Sequence, residues 1–430
     1  MRKPRSTLLA IVPLLAVLAV LAMFPRAAAA VDAKGGDGDA GRSTPAAASA
    51  EEQPLEDQPL EAYRRELLVI AMDAASMMPR DPHIKNRSRT QHDVFTASLE
   101  LKQPELALSF LPRIANWRRG AAAAEYARYC ARRGRDEAAE AYIKKADAAA
   151  KLADQDWRKQ QIQLRVAEAQ LLLGDERADD RFRERVTEDM HRGRIEAFDV
   201  ETSEAMDVEA LSGRLDGLIE SGRYEPILNA AKAYVRLYAR VYEDAEARQD
   251  IEAKLRRAYV GMGGAETLTL LMDFAKAALG NEDASEALRF LEEAETLASK
   301  ANWPPHQPYE YEFKSELAEL RAEAGDAAGA AANLSALMQR YEEEGEKIVN
   351  VWRADALRAV AEAYVTLGRT SEAFSVYERA VTAGMVNPNG WPRATDLAET
   401  CVSLALRGVE PSDNLLHSIH QAKAKLGPPW

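Results

Sequence analysis

The sequence predicts an all-α fold, an α-solenoid made of stacked antiparallel helix pairs. Apolar residues recur every three or four positions almost without interruption from residue 60 to the C-terminus, the spacing of one buried helix face. No alternating, β-branched stretch is long enough to indicate a strand. The apolar runs end at regularly placed glycines, where a chain leaves a helix through a left-handed residue. These glycines are Gly134, Gly174, Gly222, Gly280, Gly325, Gly368 and Gly408.

The composition favours closely packed helices and argues against nucleic-acid binding. Hydrophobic residues make up 47% of the 430 residues, but aromatic residues only 7%, and alanine supplies much of the apolar share. Alanine has the highest helix propensity, and small residues suit closely spaced helices. The formal net charge is −13, whereas a nucleic-acid surface needs a basic face. We therefore expect no nucleic-acid partner.

Residues 1–30 have the features of a signal peptide. A basic head and an apolar run over residues 8–24 precede four alanines at 27–30, the pattern that the secretion machinery and signal peptidase recognise. Cleavage after Ala30 would release an exported protein, periplasmic or extracellular, without a membrane span. An uncleaved membrane anchor is the alternative, although seventeen residues interrupted by Pro13 are short for a span.

Three further segments follow the signal peptide. Residues 31–59 are rich in glycine, proline, alanine and charge, which predicts a disordered linker. Residues 60–112 are expected to form N-terminal helices that cap the array, with an irregular, proline-containing loop at Met77–His92. Residues 113–430 are expected to form the helical-repeat solenoid itself.

A tryptophan and a glycine mark the same two positions in four stretches. Their separations are 17, 17, 16 and 17 residues, and four of the six tryptophans in the chain take part. We expect each tryptophan to begin the first helix of a pair and to pack against the preceding repeat. The four stretches are Trp117–Gly134, Trp157–Gly174, Trp352–Gly368 and Trp391–Gly408, and a small residue stands seven positions before each glycine: Ala127, Ala167, Ala361 and Cys401.

Residues 360–380, VAEAYVTLGRTSEAFSVYERA, resemble the tetratricopeptide repeat. The residues that carry the resemblance are Ala361, Tyr364, Gly368, Ala373, Tyr377 and Ala380. Other stretches match less fully, and the period here is nearer 40 to 50 residues than the family's period of about 34. The resemblance implies degenerate repeats over roughly residues 100–426, stacked into a curved superhelix.

The resemblance also implies a binding surface. In the resembled family, the first helix of each pair lines a concave face that binds extended peptides or partner helices. This implies an exported scaffold that binds a protein or peptide and uses no cofactor. The alternative interpretation is that each residue carried over from the family is ordinary solvent-exposed surface. The positions carried over are Arg128, Arg132, Glu168, Glu319, Glu323, Arg358 and Glu362.

Charge is unevenly distributed along the chain. Residues 110–135 hold seven arginines and one glutamate, a net charge of +6, whereas residues 282–346 hold sixteen acids and five bases, a net charge of −11. In a repeat array this separation predicts electrostatic steering of a partner or head-to-tail self-association. The alternative is that the uneven distribution of surface charge has no role in binding.

The sequence shows no enzymatic constellation. It contains no His-Glu-x-x-His, no Gly-x-Ser-x-Gly and no phosphate loop ending in Gly-Lys-Ser/Thr. His417 and His420 share a helix face but lack the further ligands that a metal needs. Cys130 and Cys401 lie 271 residues apart inside helical patterns, so we expect two buried free thiols. The sequence therefore predicts no catalytic, cofactor-binding or metal-binding residues.

Two other functions remain open from the sequence. The first is a membrane-anchored structural or assembly factor of the cell envelope, which requires an uncleaved N-terminus. The second is a polysaccharide-binding protein or an enzyme with an unrecognised site. The aromatic residues at 301–313 would serve the second as a binding platform, or serve the fold as wedges between repeats.

Overall fold

The computed structural model describes residues 55–175, 177–184, 186–202, 207–259 and 263–430. The expected signal peptide and most of the expected linker lie outside the described residues. No described residue belongs to a β-strand. The described helices are α1 (Ala62–Met77), α2 (Ile84–Glu100), α3 (Pro104–Phe110), α4 (Arg118–Ala131), α5 (Asp136–Lys151), α6 (Asp156–Leu172), α7 (Ala178–Arg183), α8 (Asp189–Thr202), α9 (Val208–Glu220), α10 (Tyr224–Arg240), α11 (Ala245–Tyr259), α12 (Gly264–Gly280), α13 (Ala284–Lys300), α14 (Tyr309–Glu323), α15 (Ala327–Glu344), α16 (Arg353–Thr366), α17 (Thr370–Met385), α18 (Gly390–Arg407) and α19 (Asp413–Ala424).

Neighbouring helices pack in pairs, which confirms the predicted all-α solenoid. Among helices that are consecutive in the chain, the pairs α4–α5, α12–α13 and α16–α17 are the most extensive, and each pair also contacts the next even-numbered helix. Between α4 and α5 the contact surface consists largely of alanine, including Ala124, Ala127 and Ala146. Small side chains allow the two backbones to approach closely, as the composition predicts.

Six of the seven predicted turn glycines adopt the left-handed conformation, for example Gly134 at φ 63° and Gly368 at φ 70°. The prediction for Gly280 is wrong. Helix α12 continues through Gly280, and the left-handed position falls two residues later at Glu282, with φ 61°. A side chain with a Cβ costs free energy there, so the repeat at this turn is irregular in a way that glycine positions alone do not show.

The even-numbered helices α2 to α18 form a closed ring. Each contacts the next even-numbered helix in turn, and α18 contacts α2. Most odd-numbered helices pack on the outside of this ring: α5, α7, α13, α15 and α17 each contact the even-numbered helices on both sides. Among successive odd-numbered helices of the described chain, only α9–α11 and α17–α19 contact each other appreciably. A greater spacing between outer helices is what a closed, curved array requires.

The two ends of the array meet through α1, which packs along α18. Leu67 and Leu68 of α1 share a buried core with Leu397 and Leu404 of α18. At the edge of this core, Lys423 Nζ on α19 donates to Asp73 Oδ2 on α1 at 2.7 Å. Residues 60–112 therefore join the two ends of the array instead of capping one of them.

The loop expected at Met77–His92 is mostly helical. Helix α1 ends at Met77 and α2 begins at Ile84, so the loop is limited to residues 78–83. Helix α2 is polar, yet Ser88, Gln91 and Ser98 are fully buried, because α2 lies against α1, α18 and α4. Because the residues of α2 are mostly polar, they show no periodic apolar face, and apolar periodicity therefore did not identify this helix.

The tryptophans and cysteines lie where the repeats are packed. The rings of Trp117 and Trp157 meet edge to face, with centroids 5.4 Å apart, on successive repeats. Trp303 packs on Phe313 and donates from Nε1 to the carbonyl oxygen of Ala298. Cys130 and Cys401 are both buried thiols that form no disulfide, as predicted. No helix in the described part of the chain is long and apolar enough to cross a bilayer.

Candidate functional site

The candidate site is the inner face, defined as the charged side of the even-numbered helices that faces away from the odd-numbered helices. The structure places all seven predicted partner-binding residues on this ring: Arg128 and Arg132 at α4, Glu168 on α6, Glu319 and Glu323 on α14, and Arg358 and Glu362 on α16. Sequence reasoning treated these residues as exposed. Most of them are instead half-buried and bonded to one another or to other ring residues.

Glu168 lies at the centre of the basic part of the inner face, with its side chain only 3% exposed. It accepts from Arg128 Nη1 at 2.5 Å and from Arg194 Nε at 3.0 Å. Burial alone would raise the pKa of Glu168, but Arg128, Arg194 and Arg165 together lower it. This carboxylate therefore stays ionised and joins α4, α6 and α8.

Glu125 links the basic part to the helix that closes the ring. His92 Nε2 on α2 donates to Glu125 Oε2 at 2.9 Å. Burial opposes ionisation, but this hydrogen bond and the nearby charge of His92, Arg128 and Arg165 lower the pKa of Glu125 to about 2. The expectation that His92 flanks a loop is wrong, because it stands inside α2.

Arg407 holds the acidic part of the inner face together. Its Nη1 donates to Glu319 Oε2 at 2.8 Å and its Nη2 donates to Glu362 Oε2 at 3.0 Å. One guanidinium thus serves two carboxylates on α14 and α16. Burial raises the pKa of Glu319 to about 7, with Glu362 adding to the effect and Arg407 opposing it.

Three carboxylates, Asp355, Asp396 and Glu399, form a tight group that we call the three-acid cluster. One oxygen of each lies within 4.8 Å of the others. Arg358 Nη2 donates to Asp355 at 2.5 Å and to Glu399 at 2.7 Å. Burial, together with Asp355 and Glu399, raises the pKa of Asp396, while burial raises that of Glu399 to about 7.

Some charged groups of the inner face have no ion-pair partner among the described residues. Glu312, Glu323 and Arg132 are the clearest, and Glu323 and Arg132 are exposed. Burial and the neighbouring Asp355 raise the pKa of Glu312 to about 7. Glu323 and Arg132 therefore keep charge available for another molecule, whereas Glu312 is only partly ionised near neutral pH.

Sequence reasoning missed several residues of the inner face, although a signal for them existed. Glu125, Arg165 and Glu399 each stand nine residues before the glycine of an aligned Trp–Gly stretch. A charged residue at one repeated position, within an apolar helix, is the mark of a shared polar face. The seven residues chosen from the resemblance lie on or beside helices of the ring, but the pairing between them depends on how successive helices stack.

Comparisons with known proteins leave the family open. No known protein-family model matches the chain, and no curated protein matches its sequence. Among solved structures, the chain is similar to one described as "Circular tandem repeat protein with novel repeat topology and enhanced subunit contact surfaces". The identity is 14% and the TM-score 0.27, over 84% of this chain and 94% of that chain. The helical-repeat fold is established by the contacts between the helices of this chain.

Proposed function

We propose that this protein is an exported, non-enzymatic scaffold that binds a protein or peptide on the inner face of its helical ring. The observation that carries the proposal is that some charged side chains of the inner face have no ion-pair partner within the described residues, although most of their charged neighbours do. Glu312 and Glu323 on α14 and Arg132 beside α4 are such groups within the described residues. Charged groups left without partners are satisfied best by a molecule of complementary charge.

The arrangement of charge supports a polypeptide partner. Arginines gather on α4, α6 and α8, where Arg132 and Arg165 each have a lowered pKa through burial and other nearby arginines. Carboxylates gather on α14, α16 and α18, where Glu312 and Glu319 have raised pKa values. A surface with both signs of charge spread over six helices suits an extended chain with several charged residues better than a small molecule.

The proposal includes the tetratricopeptide resemblance as the origin of the repeats. Two observations on the residues that carry the resemblance support this part of the proposal. Ala361, Tyr364, Ala373, Tyr377 and Ala380 are all buried. The intervening Gly368 is left-handed. In this protein the ends of the array meet, so a partner would enter the ring along its axis and would not lie in an open groove.

Export is part of the same proposal. The basic head, apolar run and alanine-rich exit of residues 1–30 support secretion, and a binding role outside the cytoplasm is consistent with the absence of catalytic motifs in the sequence. N-terminal sequencing and intact mass of the protein from its native host test this part. A mature chain that begins near residue 31 is expected, and a chain that retains residues 1–30 would contradict cleavage.

Affinity capture from the extracytoplasmic fraction of the native host tests the binding role. We expect the unaltered protein to retain a polypeptide at low salt and a Glu312→Gln, Glu323→Gln double variant to lose most of it. The matched control is Glu137→Gln with Glu140→Gln on the outer helix α5, where both side chains are exposed. Equal capture by both double variants would overturn the role of the inner face, and retention of a glycan without any polypeptide would overturn the proposed class of partner.

A further inference from the structure

We propose that the three-acid cluster of Asp355, Asp396 and Glu399 binds a hard divalent cation, of the class of Ca²⁺, Mg²⁺ or Mn²⁺. The sequence predicted no metal site, because Asp355 lies 41 residues before Asp396 in the chain and no local motif joins them. The three carboxylates come from two neighbouring ring helices, α16 and α18. The inference concerns a separate property of the chain and does not depend on the proposed partner.

The geometry of the cluster fits one ion. One oxygen from each carboxylate lies within 4.8 Å of the other two. Metal–oxygen bonds of about 2.0 to 2.6 Å place ligand oxygens up to roughly 5 Å apart on opposite sides of a cation. A single ion can therefore reach all three carboxylates without rearrangement of either helix.

A second observation points to a missing ligand. Asp396 is only 4% exposed, and its Oδ2 is buried with no hydrogen-bond partner among the described residues. A buried carboxylate without a donor is costly, and a cation or a proton is needed to compensate it. The hydrogen bond from Thr400 Oγ1 goes to the backbone oxygen of Asp396, and the nearby charge of Arg358 offsets the burial of the carboxylate only in part, so the pKa of Asp396 stays raised.

Arg358 borders the site. Its Nη2 contacts only Oδ1 of Asp355 and Oε2 of Glu399, so the second oxygen of each carboxylate remains available to an ion. When all three carboxylates are ionised, they and the guanidinium carry a net charge of −2, which a divalent cation neutralises. Arg358 thus acts as a positioning residue, because it fixes two of the ligands from one side.

The donor set decides the class of ion. All three ligands are carboxylates, and no histidine or cysteine belongs to the cluster. Oxygen-only sites favour Mg²⁺, Ca²⁺ and Mn²⁺, whereas nitrogen and sulfur donors favour zinc and copper. Three carboxylates do not complete a coordination shell of six or more, so the ion would keep bound water. The Asp-x-x-Arg and Asp-x-x-Glu spacings, at 355–358 and 396–399, put each pair on one helix face.

Isothermal titration of chelator-treated mature protein with CaCl₂, MgCl₂ and MnCl₂ tests the proposal at pH 7.5. We expect saturable binding of one ion per chain for at least one of the three, and a higher melting temperature in its presence. Tb³⁺ luminescence gives an independent readout, because Trp391 stands five residues before Asp396 on α18.

Three variants locate the site. Asp396→Asn and Glu399→Gln should each weaken binding by at least tenfold and remove the ion-dependent rise in melting temperature. Glu137→Gln, an exposed carboxylate on the outer helix α5, is the control and should bind as the unaltered protein does. Circular dichroism shows whether each variant is folded, and Asp355→Asn replaces any variant that is not. Absence of saturable binding up to 10 mM of every ion, or unchanged binding in the folded cluster variants, would overturn the proposal.

Discussion

Arg64 on the first described helix donates from Nε to the carbonyl oxygen of Ala405 on α18 at 2.7 Å, although 341 residues separate them in the chain. Ala405 lies near the C-terminal end of α18, where backbone carbonyls lack partners inside the helix. The guanidinium of Arg64 satisfies one of them and also lies beside Gly408. A side chain from one end of the array thus completes a helix terminus at the other end.

The join between the ends should contribute strongly to stability. Leu68 of α1 is fully buried in the core that α1 shares with α18, so we expect Leu68→Ala to lower the free energy of unfolding by about 2 to 5 kcal/mol. Leu152→Ala is the control, because Leu152 is 86% exposed. Urea unfolding followed by circular dichroism measures both. Similar midpoints for the two variants would show that the join adds little.

Arg407 is expected to be necessary for the acidic part of the inner face. Replacement by Met would leave Glu319 and Glu362 close together without their shared cation, and should destabilise the protein by about 1 to 3 kcal/mol at pH 7.5. A second change, Glu319→Gln, should recover part of this loss because it removes one of the two charges. Arg369→Ala removes an exposed pair with Glu372 and should cost less than about 1 kcal/mol. Equal losses for Arg407 and Arg369 would contradict this assignment.

Glu312 should make stability fall as pH rises. Its pKa is raised from 4.5 to about 7 by burial and by Asp355, with Arg358 opposing and Glu316 adding. The folded state therefore binds more protons than the unfolded state between those two values, and the stability that this proton supplies is lost as pH rises through about 7. Glu319 and Glu399 act in the same direction.

The variant Glu312→Gln isolates this effect. It should stabilise the protein more at pH 8 than at pH 5, because only the ionised carboxylate is unfavourable. Thermal melts of the variant and the unaltered protein across this range supply the comparison. Glu323→Gln is a weaker counterpart, because Glu323 is exposed and the charges of Arg407 and Lys276 oppose any rise in its pKa. A pH-independent difference between the Glu312 variant and the unaltered protein would refute the shift.

Both thiols should be unreactive in the folded protein. Cys130 and Cys401 are completely buried, and burial raises the pKa of Cys401 to about 12. Because the thiolate is the reactive form, we expect a colorimetric thiol reagent to modify neither residue at pH 8 until the protein unfolds. In denaturant both of the two cysteines should react. Rapid modification of one thiol under native conditions would indicate local opening around its helix.

Local sequence determined much of the fold but not its closure. The Trp–Gly spacing and the apolar period identified the helix pairs because both are properties of one or two adjacent helices. The contact of α1 with α18 was not predictable in this way, since a periodic pattern shows which face is buried and not what covers it. The polar helix α2 was missed for the same reason, because Ser88 and Gln91 are buried by elements distant in the chain.

The candidate site was predictable to the level of helices. Positions carried over from the resembled repeat put Glu319, Arg358 and Glu362 on the inner face, because each repeat uses the same positions. Their partners were not evident: Arg407 pairs with Glu319 from 88 residues away, a contact that depends on the curvature of the ring. Asp396 was missed because its burial depends on α17, where a Cβ at Gly384 would meet the Asp396 side chain at 2.8 Å.

A linear array can gain or lose one unit at either terminus and still fold, since only one neighbour is affected. The circle made by α2 and α18 removes that freedom, because inserting a unit would separate the two partners and deleting one would crowd them. The number of units is therefore set by the curvature of each step. We therefore expect evolutionary change in this protein to consist of substitutions and of changes in the loops that lead to the outer helices. Proteins that descend from it should keep the same number of repeat units.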